Sequence, residues 1–241
     1  MFSATINSQF DKRKGENENM NKIIPAFRDS ILEASDSLGE WIELGIDSIL
    51  ENDVLKGIPI VGTLSGFCKV GYSVHERNLL RQTLAFINGL NAKTIAEEKV
   101  SAYKEKLSND AKTAEKELGR VIFILNSHIE TQQSKVLGSF FQAYVNSAVS
   151  WEKFCELSEA NRRMFVSDYH LLKLVYENQD VEINDKKMYQ IDRLISLGLV
   201  AKENIATGET RLGSSTFVVL PSALKTTAFG KTFCQHMKIE A

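Results

Sequence analysis

The sequence predicts a mainly α-helical chain: a helical bundle closed by a smaller module of two helices, a β ribbon and a last helix. Three observations predict it. Apolar residues recur every three to four positions almost to residue 198, the period of helices that each bury one face. Only three prolines and fourteen glycines punctuate the 241 residues, too few breakers for a many-turned β architecture. The one strongly β-favouring run, Thr216 to Leu220, comes late and is followed by Pro221, which fits a short ribbon.

In chain order, Asp11 to Asn19 (DKRKGENEN) is polar and charged and cannot bury surface, so residues 1–20 are expected to be disordered. Phe27, Ile31, Leu32, Leu38, Ile42, Ile46, Ile49 and Leu50 recur at helical spacing among acids, giving one or two acidic amphipathic helices. Pro59 suits the first turn of the next helix, where its missing N–H costs nothing. That helix is expected to run to about Ile87 and to stop at Asn88 and Gly89. Thr94 with Glu97 has capping-box spacing and opens a polar, peripheral helix. After Asn109 and Asp110, Val121 to Leu125 is apolar on every side, which places its helix at the centre of the bundle. Leu137, Phe140, Phe141, Tyr144, Val145 and Ala148 mark another core-facing helix, and Ser150 is a cap candidate for the helix beginning at Trp151.

From about Asn161 the organisation changes, dividing a bundle over 21–160 from a second domain over 161–241. Phe165 to Tyr176 reads as a helix, Asn178 to Asp185 as a turn, and Met188 to Leu197 as a helix stopped by Gly198. Then come "LISLGLV", the ribbon, and "LKTTAFGKTF" (Leu224 to Phe233), where a threonine precedes a short terminal helix. That order resembles a winged helix-turn-helix.

Composition demotes several function classes. A formal charge of −2, from 29 basic and 31 acidic residues, gives no global field toward nucleic acid or anionic lipid. Cys68, Cys155 and Cys234 are dispersed and odd in number, which suggests neither a disulfide framework nor a thiolate metal site. Met1 to Phe10 lacks the pattern of a secretory signal, and no apolar run of about eighteen residues occurs. A cytoplasmic protein is the expectation. His75, His128, His170 and His236 are scattered, and no zinc, nucleophile or phosphate-loop motif is present. The acidic row Glu40, Glu43, Asp47 and Glu51 lacks complementary ligands. No catalytic residue, cofactor or metal is therefore assigned, and the chain is read as a non-enzyme.

Two segments remain as binding candidates. In Ile58 to Val74 (IPIVGTLSGFCKVGYSV), Pro59 is followed by Gly62, Gly66 and Gly71. Each helical glycine costs about 1 kcal/mol against alanine, so close approach of a neighbouring helix, self-association, or membrane contact upon activation would have to compensate. On the second helix of the C-terminal module, Lys186, Lys187, Gln190 and Arg193 would form an exposed face for duplex DNA. Asp185 and Asp192 oppose phosphate contact there. Residues 161–241 carry eleven Lys or Arg against nine Asp or Glu, a thin basic footprint for a DNA binder.

Residues 49–90 (ILENDVLKGIPIVGTLSGFCKVGYSVHERNLLRQTLAFINGL) and 135–157 (KVLGSFFQAYVNSAVSWEKFCEL), followed by the wing, resemble bacterial helical proteins encoded among phage-defence and mobile-element genes. The last third is similar to the abortive-infection alpha family. The resemblance implies a bacterial interaction or effector protein in antiviral defence, acting on a protein partner, on itself as an oligomer, or on membrane. A winged-helix transcription regulator is the alternative.

Overall fold

The computed structural model describes residues 22–31, 48, 51–67, 74–91, 94–178, 185–203 and 223–238. The expected disordered segment, the acids Glu40, Glu43 and Asp47, and Gly71 lie outside the described residues. By internal contacts the chain divides into a larger unit, Met1–Arg162 with Ile239–Ala241, and a smaller one, Arg163–Lys238. No described helix is long and apolar enough to cross a membrane.

The larger unit is helical: α1 (22–31), α2 (Asp53–Lys56), α3 (Pro59–Phe67), α4 (Val74–Leu90), α5 (Glu97–Asn109), α6 (Ala111–Ser127), α7 (Thr131–Val145) and α8 (Trp151–Arg162). Its centre is the pair α4 and α7, which share the most extensive helix–helix contact. A Cβ on Gly138 would lie 2.2 Å from the Phe86 carbonyl oxygen, and one on Gly89 would lie 2.0 Å from that of Lys135. Only glycine at both positions lets the two backbones touch. Gly89 is thus not the helix stop that its place in the sequence suggests. The helix runs on to Leu90 and ends at Asn91, whose φ of 44° is left-handed.

Two further expectations are corrected. Val121, Ile122, Ile124 and Leu125 are buried, but Phe123 is 69% exposed, so α6 lies against the central pair with one face outward. Thr94 does not cap α5: Ala96 occupies the N-cap without a side-chain bond, and the Thr94 hydroxyl donates to the Asn91 carbonyl while accepting from Gln142 Nε2. Asp110 does cap α6, accepting from the N–H groups of Lys112 and Thr113 at 3.0 Å each. Ser150 accepts from Lys153 N–H at the start of α8. Phe27, Phe86, Phe141 and Phe154 form a chain of rings with centroids 5.5–5.6 Å apart, each pair adding roughly 0.5–1.5 kcal/mol to simple burial.

The smaller unit comprises α9 (Val166–Tyr176), α10 (Asp185–Ser196), β1 (Val200–Glu203), β2 (Ala223–Thr226) and α11 (Ala228–His236). Gly198, at φ 71°, ends α10 as the sequence suggests. The strands pair antiparallel, Val200 opposite Thr226 and Glu203 opposite Ala223. The strand that pairs with β1 therefore follows Pro221, within the segment read as the approach to the terminal helix; Thr216 to Leu220 lies outside the described residues. The period is that of a strand: Leu224 and Thr226 are half-buried and Lys225 is exposed. Thr227 then caps α11, accepting from Gly230 N–H at 2.9 Å.

Candidate interaction site

The glycine-punctuated segment spends its apolar side on the interior. Ile60, Val61 and Leu64 are buried, and the Ser30 hydroxyl accepts from Ile60 N–H at 2.8 Å, satisfying one donor at the start of α3. Pro59 is half-buried in the first turn. A Cβ on Gly62 would meet the carbonyl oxygen of Lys56, the last residue of α2, at 2.7 Å; one on Gly66 would meet nothing within 4 Å. Of the readings for these glycines, close approach of a neighbouring backbone is met at Gly62, against the end of α2, and not at Gly66; the tightest helix–helix approach is at Gly89 and Gly138.

In the smaller unit, the start of α9 and the middle of α10 build a rigid surface feature. Asp168, wholly buried, accepts from Arg193 Nε at 2.7 Å and Nη2 at 2.9 Å, and from Phe165 N–H at 2.8 Å. One carboxylate thus closes the N-terminus of α9 and holds the guanidinium in a bidentate pair. That pairing raises the Arg193 pKa still further. The guanidinium carbon lies 4.5 Å from the Phe165 ring centroid and 5.5 Å from that of Tyr189, so the cation is packed against both π faces. Both rings remain open to solvent: Phe165 is 63% exposed and Tyr189 60%, with Val166 beside them at 47%.

This geometry revises the basic face expected on α10. Gln190 is buried, and Arg193 is committed to Asp168. Asp192 is exposed one residue away and pairs with Lys202 at 3.8 Å. Lys186 and Lys187 belong to the first turn of α10, with their side chains outside the described ones. What the described part of the helix offers outward is an aromatic group around a neutralised arginine. Sequence reading missed it because Asp168 lies 25 residues before Arg193, on another helix.

A second missed group is the polar core of the larger unit. Gln82 Nε2 donates to the Ile129 carbonyl at 3.0 Å and to Asn78 Oδ1 at 3.2 Å, which turns Gln82 Oε1 toward Ser134. The Ser134 hydroxyl donates to it at 2.7 Å and lies 2.8 Å from His128 Nδ1. With its one hydrogen spent, the serine accepts from Nδ1–H, leaving His128 Nε2 unprotonated and buried with no partner among the described residues. Burial, reinforced by the nearby Arg162 charge, lowers the His128 pKa to about 4. A serine beside a histidine invites comparison with a nucleophile and its base, but here the histidine donates to a wholly buried hydroxyl and cannot deprotonate it. The group ties the α6–α7 junction to α4.

No protein-family model, curated protein or solved structure matches the chain.

Proposed function

We propose that this chain is a non-catalytic interaction protein that docks a protein partner through the Phe165–Arg193–Tyr189 face of its smaller unit. The observation that carries the reading is the combination of rigidity and exposure: two aromatic rings held open to water around an arginine that a buried carboxylate fixes in place. Tyrosine and arginine are enriched in binding hot spots; tyrosine offers large contact area at little entropic cost, and Asp168 already holds this arginine in place. The order helix, turn, helix, antiparallel ribbon, helix supports a winged-helix-like module used as an interaction surface, since fold alone does not dictate a ligand.

The likeness of residues 49–90 and 135–157 to bacterial defence-associated helical proteins makes antiviral defence in the cytoplasm the proposed setting. Duplex binding has less support, because α10 buries Gln190 and neutralises Arg193. Membrane insertion of the glycine segment has less as well, because Ile60, Val61 and Leu64 are already occupied within the bundle.

Bacteria carrying the gene, challenged with phage, test the proposal. The variant Phe165→Ala with Tyr189→Ala is expected to abolish protection while far-UV circular dichroism and the melting temperature stay at wild-type values. Full protection by the double variant would refute the docking surface. Salt-sensitive gel shifts of duplex DNA, lost when Lys186 and Lys187 are neutralised, would replace the reading with the regulator.

A further inference from the structure

We infer that the partner element recognised at this face carries a carboxylate flanked by apolar side chains, and that the carboxylate sits on the outer edge of the Arg193 guanidinium. The inference rests on the protein-docking reading above and names the chemistry of the partner.

A guanidinium presents five N–H groups in one plane, arranged as two forks that can each grip a carboxylate. Asp168 takes the fork formed by Nε and Nη2. The other fork, formed by Nη1 and the second Nη2 hydrogen, points away from Asp168 in the same plane. No described residue takes it, and the arginine side chain is 22% exposed. An anchored arginine with one fork satisfied and one open has already lost its rotamer freedom, so a second anion binds it without that cost.

The walls of this opening define the rest of the ligand. Phe165 and Tyr189 both lie against the guanidinium, 4.5 Å and 5.5 Å from its carbon, and with Val166 they leave three large apolar side chains open to water. The charge sum favours a single carboxylate over a polyanion. Asp168 already cancels the arginine charge, and Asp192 is exposed next in sequence. A nucleic-acid strand needs a basic track for successive phosphates, as well as rings on which to stack its bases. One oriented fork between apolar walls instead matches an aspartate or glutamate between hydrophobic residues in a peptide.

The test uses the full chain and three defined probes: the capped peptide Gly-Leu-Glu-Phe-Gly, its Gln analogue, and single-stranded oligothymidylate. The Arg193 Nε–H signal and the Tyr189 ring signals are followed by NMR. The Glu peptide is expected to shift both sets and to bind about tenfold more tightly than the Gln analogue. Arg193→Lys retains a cation for Asp168 but lacks the second fork, and should bring the two peptides to equal affinity. Tyr189→Ala should abolish both complexes. Equal binding of the Glu and Gln peptides to the wild type, or no shift at Arg193 with millimolar Glu peptide, overturns the inference. Stronger perturbation of the same signals by oligothymidylate overturns it in favour of a nucleic-acid surface. If the carboxylate assignment alone is wrong, Phe165→Ala with Tyr189→Ala still abolishes phage protection; if the docking reading is wrong, protection survives that variant.

Discussion

Each unit contains a buried carboxylate paired with a cation that lies over two aromatic rings, and the two groups differ in what surrounds them. In the larger unit Glu117 accepts from Lys106 Nζ at 2.5 Å, and the ammonium lies 5.6 Å and 5.3 Å from the ring centroids of Tyr103 and Tyr144. Both hydroxyls also donate to Glu117, at 2.9 Å each, and both rings pack edge-on against Phe141. In the smaller unit Asp168 and Arg193 repeat the pairing, but Phe165 and Tyr189 contribute no hydroxyl to it and stand in solvent. The first group directs its rings into the core and works for stability. The second likewise sets its cation over two rings and leaves those rings exposed to solvent.

The sharpest way to break this comparison is to remove the carboxylates. Asp168→Ala strands Arg193 at a largely buried pair, a loss of about 3–5 kcal/mol; Glu117→Ala releases Lys106, 42% exposed, to water and costs about 1–3 kcal/mol, chiefly from the tyrosine hydroxyls left without their acceptor. Both tryptophans, Trp41 and Trp151, belong to the larger unit, so tryptophan fluorescence during urea unfolding reports that unit alone, whereas circular dichroism reports both. Glu117→Ala should move the fluorescence transition and Asp168→Ala only the dichroism. A loss below about 1 kcal/mol for Asp168→Ala would mean that Arg193 is not held, and the exposed face would lose its pre-organisation.

The same truncation applied to one ring of each group separates their roles. Tyr103, 6% exposed, should cost about 3–5 kcal/mol as alanine, since a large buried side chain and a bond to Glu117 both go. Tyr189→Ala should stay within about 0.5 kcal/mol by urea denaturation, as surface changes do. Comparable losses at the two positions would place Tyr189 in the core and end its assignment to recognition.

Titration next probes the larger unit, which contains all the groups concerned. Burial, only partly opposed by the Lys106 bond, pushes Tyr144 up to about 12; for Lys106, the bonds to Glu117 and Tyr144 outweigh desolvation and raise its pKa. Both groups then hold protons that the unfolded chain releases first, so stability is full below pH 10 and falls as the pH rises toward 12. On the acid side, His128 is held neutral down to about 4 against an ordinary 6.5. The unfolded chain gains its proton first, so stability is full above 6.5 and is lost as pH falls through 4, by at most about 3 kcal/mol. Fluorescence-detected unfolding across pH checks both limbs, which His128→Gln and Tyr144→Phe should flatten separately. An unchanged acid limb in His128→Gln would remove the histidine from the account.

Periodicity made the helices legible and left their partners hidden. The spacing of Leu137, Phe140 and Phe141 assigns the buried face of α7, and local chemistry is readable at Gly198, Asp110, Ser150 and Thr227, where a cap or stop is settled within a few residues. The tertiary pairs are not local. Gly89 resembles a stop until Gly138 arrives 49 positions later, and spacing makes Gly62 and Gly66 look equivalent although a second backbone, at Lys56, stands only against Gly62. Arg193 falls on the polar side of α10 by spacing from Lys186, which reveals nothing of Asp168. His128 is one of four scattered histidines until Gln82, 52 residues from Ser134, fixes the tautomer. Side chains that choose partners across the fold carry no signature in a helical period.

The finest test removes only the hydroxyls. Tyr103→Phe keeps the ring and deletes its donor to Glu117, a bond to a charged acceptor whose loss costs about 1.5–3 kcal/mol. Tyr189→Phe deletes a hydroxyl that no described residue accepts or donates to, so both stability and partner binding should remain at wild-type values. Urea unfolding measures the first and phage protection the second. If Tyr189→Phe lost protection with its fold intact, the hydroxyl itself would be read by the partner, and the face would work by hydrogen bonding as well as by the ring and guanidinium surfaces. If instead Tyr103→Phe cost nothing, Glu117 would be satisfied by Lys106 and Tyr144 alone, and the closed group would contain a spare donor.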